Sequence, residues 1–80
     1  MNPSNEDLKA AAELALEDPN CSVIKVATAI REHFGWRSAV EAVHLAKHAL
    51  WLVNTDRAVA LIRKYELTHA ANVAAMNRNY

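Results

Sequence analysis

The stretch that decides the fold is Asp56–Arg78, "DRAVALIRKYELTHAANVAAMNR". It holds neither glycine nor proline, the two residues that punctuate elements most strongly. Ala58, Ile62, Tyr65, His69, Val73, Met76 and Tyr80 recur in steps of three or four, the signature of one helical face. Their phase does not slip at Thr68. The spacing therefore predicts one last helix of about 22 residues, near 33 Å long at about 1.5 Å per residue. The competing reading breaks it at Leu67-Thr68 and lets Thr68 cap a short fifth helix. A second set of small or apolar residues, Ala60, Leu67, Ala71 and Ala74, lies on the other side.

Upstream, three further helices are expected. The first starts after Ser4, where Ser4 and Asp7 stand in capping-box order behind Pro3, and ends in "EDPN" near Glu17. Its stripe, Leu8, Ala11, Ala12 and Ala15, is mostly alanine and allows a neighbour to approach closely. The second runs from about Ser22 to Phe34 on Val23, Val26, Ala27, Ile30 and Phe34. Gly35 suits the left-handed position beyond its end, and Trp36 stands where it would pack back on that end. The third starts near Ser38, and its apolar side chains cover roughly 260° of the cylinder, which predicts a central helix with neighbours on at least two sides. Before the last helix, either Asn54 or Thr55 is placed to act as a cap.

Composition agrees. Fifty-two per cent of the 80 residues are hydrophobic, about one in five is alanine, and there are one glycine and two prolines. That is too little turn chemistry for a multi-strand sheet. The expected architecture is all-α, a single domain over residues 1–80. It is a compact bundle of four helices, or five if the last one breaks, with short connections. The other helices span only about 18–24 Å, so an unbroken last helix overhangs them by two turns.

Nine basic residues balance nine acidic ones. A nucleic-acid binder usually shows a basic excess, and none is present. The longest apolar run, Ala49–Val53, is far short of a membrane span. The polar, acidic opening "MNPSNEDLKA" is expected to carry no secretory leader. One cysteine, Cys21, has no partner for an internal disulfide, which suits a cytoplasmic setting.

Three function classes bear weighing. Glu41, His44 and His48 sit within about 60° on the third helix, at spacings used by metal-binding bundles. However, Ser38-Ala-Val-Glu41 reads as a capping box that occupies Glu41, and the two histidines lie opposite the apolar arc, where solvent belongs. Glu66 and His69 repeat the Glu-x-x-His spacing, but His69 belongs to the apolar stripe. No metal or other cofactor is expected. "VATAIREHFGWRSAVEAVHLAKHAL" mimics a helix-turn-helix reader of DNA, with Arg57, Arg63 and Lys64 nearby for phosphates, but its second helix is the most apolar in the chain. No Gly-rich phosphate loop and no HExxH are present, and the serines sit where caps explain them, so an enzyme is not expected. The reading that remains is a small regulator, adaptor or inhibitor. It would bind another protein, and itself as a dimer, through Tyr65, His69, Val73, Met76 and Tyr80, with Leu67 and Ala71 beside them.

Overall fold

In a computed structural model, described over residues 3–77, the chain forms four α-helices and no strand among those residues. They are α1 (Asn5–Ala15), α2 (Val23–Phe34), α3 (Ala39–Val53) and α4 (Asp56–Asn77).

Each helix starts on a short hydroxyl side chain. Ser4 caps α1 with a complete capping box: its hydroxyl accepts from the Asp7 backbone N–H, and the Asp7 carboxylate accepts from the Ser4 N–H. Ser22 and Ser38 accept from the N–H groups of Lys25 and Glu41. Thr55 accepts from the Ala58 N–H. These contacts satisfy donors that a helix start otherwise leaves unpaired.

The ends have equally local causes. α1 stops at Ala15, two residues before the expected Glu17. Successive turns through Glu17 and Asp18 follow, and the Asp18 carboxylate accepts from the Asn20 N–H. Gly35 ends α2 at φ +90°, ψ 173°, a conformation that carries a steep cost for any side chain. Asn54 ends α3 in the left-handed region at φ +54°, and its N–H returns to the Leu50 carbonyl. Asn54 and Thr55 thus divide one two-residue junction between them, the first closing α3 and the second opening α4.

The core is built where the helical stripes meet. Leu8 and Ala12 of α1, Val23, Val26, Ala27 and Ile30 of α2, Ala42, Ala46, Ala49 and Leu50 of α3, and Ala58 and Ile62 of α4 are all buried, together with Cys21. α3 touches each of the other three helices. Its buried face is largely alanine, which allows its neighbours to come close on both sides.

α4 differs from the rest. It contacts α3 and, more sparingly, α2, but not α1. It continues through Thr68 without a break, so there is no fifth helix among the described residues. The Thr68 hydroxyl bonds back to the Lys64 carbonyl inside the helix instead of capping a new one. At the other end, Arg57 donates to the backbone carbonyls of Leu16 and Asp18, tying the start of α4 to the α1–α2 loop. The molecule measures 43 × 28 × 18 Å.

Trp36 meets its expectation only in part. Its ring returns to the last turn of α2, where the Arg31 guanidinium stacks over it at 4.0 Å, but it stays 83% exposed.

Candidate functional site

The stripe on α4 changes character along its length. Ala58 and Ile62 are buried. Tyr65 is half-buried and packs against the core. From Glu66 to Asn77 every residue is exposed. On a helical wheel Met76 repeats the direction of Ala58, and Val73 lies about 60° from it. The face that builds the core at the start of α4 therefore continues, unchanged in direction, past the end of the bundle. There it meets nothing: Met76 is 64% exposed, and Leu67, on the opposite side, 74%. Ala71 is exposed as well, and Tyr80 lies outside the described residues. His69 stacks on Tyr65, ring centroids 6.0 Å apart and 7° from parallel, and the Lys47 ammonium lies 5.8 Å from the Tyr65 ring centre.

Local physics explains why this segment is helical without a neighbour. A helix is costly to nucleate and cheap to extend. The packed first half of α4 supplies the nucleus, and Ala70, Ala71, Ala74 and Ala75 favour extension. Only one residue from 66 to 77, Glu66, is charged. A helix that faces water on all sides normally carries far more charge.

Between this stripe and the bundle lies a cleft of about 390 Å³, whose apolar lining comes from Ile24 of α2, Val40 and Val43 of α3, and Tyr65. His44, Lys47 and His69 stand among these residues. Val40 is 68% and Ile24 53% exposed. α3 has neighbours on at least two sides, but its wide apolar arc is not fully enclosed by its own fold. One flank is covered by α1 and α2 and the other is left open beside α4. A smaller cleft continues on the far side of Tyr65, between Ile24 and Thr68, and reaches Cys21. Burial pushes the Cys21 thiol above its ordinary pKa, while the positive charge of Arg57 pulls the other way. The thiol donates weakly to the Ser22 carbonyl at 3.8 Å.

Sequence reading found the α4 stripe but missed Ile24, Val40 and Val43 as its counterpart. The signal was present. Ile24 falls off the α2 stripe, and an arc as wide as that of α3 exceeds what two or three neighbours can cover.

Glu41 and His48 lie on the side of α3 near α1, and His44 stands between that side and the α3–α4 cleft. His48 Nε2 is 3.1 Å from the Asn5 side-chain oxygen. Ser38 caps the Glu41 N–H, but only half of the expected box forms, with no return contact from the Glu41 carboxylate. Among the described residues, no three His, Cys, Asp or Glu side chains converge as a metal site would require. His44 and His69 do share the α3–α4 cleft, reached from two helices.

Three of the basic residues are engaged locally. Arg57 is engaged by loop carbonyls, Lys25 pairs with Asp18 at 3.1 Å, and Arg37 donates to the Phe34 carbonyl. No helix among the described residues is long and apolar enough to cross a membrane. No family model, characterised protein or solved structure shows significant similarity to the chain.

Proposed function

We propose that this chain is a non-enzymatic protein–protein interaction module, a small regulator, adaptor or inhibitor, that acts by covering a partner's surface with the exposed half of α4. The observation that carries the reading is the continuation of the core-forming stripe, through His69, Val73 and Met76, into solvent. Apolar surface held in water on a pre-formed helix gains free energy by burial at about 25 cal/mol per Å². A rigid helix also loses little conformational freedom when it docks. Such helices bind by laying an i, i+3, i+4, i+7 face into an apolar groove. Tyr65, Leu67, His69, Ala71, Val73 and Met76 are the contact residues in this reading, and Tyr80 extends the same stripe in sequence. The single cysteine, buried and unpaired, fits a reducing, cytoplasmic setting.

The test is site-specific photo-crosslinking in the native host. A photoreactive residue at Val73 is expected to give a discrete adduct, and the same residue at Glu13, exposed on α1, none. Absence of any adduct at 73, with the protein folded and expressed, overturns the reading.

A further inference from the structure

We propose that the partner seated on this surface is a second copy of the same chain, the exposed half of each α4 lying in the Ile24/Val40/Val43 cleft of the other. The inference rests on the interaction-module reading and names its occupant.

Three observations lead to it. The first is that both halves of a helix-in-groove contact stand on one chain. The α4 stripe and the cleft beside it are adjacent, and Tyr65 and His69 belong to both. A two-fold axis across α4, near His69–Val73, sets two such stripes antiparallel. It brings Met76 of each protomer to the level of Tyr65 of the other, beside Val40 and Ile24. The contact is isologous and closes on itself, so it gives a dimer and not a filament.

The second is area. A compact monomer of 8.9 kDa exposes about 4,800 Å², whereas this chain exposes 5666 Å². The surplus of roughly 850 Å² belongs to the whole elongated chain, and it leaves room for an interface of standard size, ~800 Å² per partner. The radius of gyration, 13.2 Å, likewise exceeds the ~11.6 Å of a compact 80-residue chain.

The third is charge. The chain is neutral overall, so two copies meet without net repulsion. The stripe and the cleft bring no carboxylate into the contact. Glu66, the one charged residue of the projecting segment, lies about 80° off the Ala58–Met76 direction of the stripe, outside the contact.

Sedimentation equilibrium on the full chain tests the proposal. The wild type is expected to be a dimer. Val73→Asp on the stripe and Val40→Asp in the cleft are each expected to weaken association at least ~10-fold, as removal of a hot spot does. Leu14→Asp, at an exposed apolar position on α1, is expected to leave it unchanged. All three positions are solvent-facing, so unchanged helicity by circular dichroism shows that the fold is kept. A second measurement does not depend on a loss of binding. In a Cys21→Ser background, chains carrying Val40→Cys mixed with chains carrying Met76→Cys are expected to oxidise to a mixed disulfide dimer.

A wild type that stays monomeric up to about 1 mM, or a dimer indifferent to both Asp variants, overturns the pairing. The crosslink at Val73 then separates the two claims. An adduct with a different protein leaves the interaction reading standing without self-pairing, and no adduct removes both.

Discussion

Asn54 is the position where one side chain's conformational tolerance decides a junction. It sits at φ +54°, exposed, with its N–H closing α3. Asparagine tolerates the left-handed region and glycine enters it without penalty, whereas a β-branched side chain clashes there. Asn54→Gly is therefore expected to leave stability within about 0.5 kcal/mol of wild type, and Asn54→Val to cost about 1–2 kcal/mol. Urea denaturation at constant m-value checks both. Cys21 makes a second residue-scale prediction. Burial raises its pKa in the folded state above that of the unfolded thiol. Its contribution to stability is therefore full below the ordinary thiol range and is lost as pH rises through the raised value. Denaturation curves from pH 7 upward should show stability falling faster in wild type than in Cys21→Ala. Equal slopes would mean that the thiol is not desolvated. Asp18 runs the opposite way. The Asn20 N–H and then Lys25 hold its carboxyl below the usual value, so its contribution is present above that value and disappears as the solution is acidified.

At the scale of elements, burial separates positions that composition treats alike. Ile30 is fully buried under α3, and Trp36 is almost fully exposed. Ile30→Ala is expected to cost about 2–5 kcal/mol, as cavity-forming substitutions do. Trp36→Ala should cost under about 1 kcal/mol, since what it removes is an exposed stack with Arg31. Thermal melts of the two variants read the contrast directly. The same contrast marks what the sequence could tell. The stripes of α1 and α2, the hydroxyl caps and the continuity of α4 were legible because each depends on neighbours within one helical turn. The site was legible only in part. The stripe through Tyr65 and Met76 follows from periodicity alone. Its counterpart at Ile24, Val40 and Val43 shows in sequence only as apolar residues beyond those the stripes use, and their meeting in one cleft depends on helix placement that no local pattern encodes. Trp36 is a similar case. Its return to Arg31 in the last turn of α2 follows from its place after Gly35, but its exposure depends on whether another element covers that end. The half-formed box at Ser38 shows that a matching pair of residues guarantees the hydroxyl cap but not the reciprocal contact.

For the whole molecule, size sets the terms. A chain of 80 residues buries only about 60–65% of its unfolded surface, so its margin is thin. Apolar surface left open along α3 and α4 makes that margin thinner in the isolated protomer, and covering it in the proposed dimer would restore it. That dimer links folding and association. Anything that binds only the native state raises the melting temperature by mass action, and in the proposed pairing the ligand is the protein itself. Each tenfold rise in concentration adds about 1.4 kcal/mol to the dimer. Spread over the unfolding entropy of two such chains, this moves the melting temperature by roughly 3–5 °C. Differential scanning calorimetry across two decades of concentration should show that drift in wild type and in Leu14→Asp. In Val73→Asp the melting temperature should be lower and independent of concentration. Amide exchange gives the same result residue by residue. The amides of residues 70–77, on a helix with no neighbour in the protomer, should exchange rapidly in dilute solution and slow as concentration rises, while those around Ile30 and Leu50 hold steady. A melting temperature that stays fixed across both decades, with residues 70–77 unprotected throughout, would place the exposed half of α4 outside the cooperative unit. The native state would then gain nothing from a second copy.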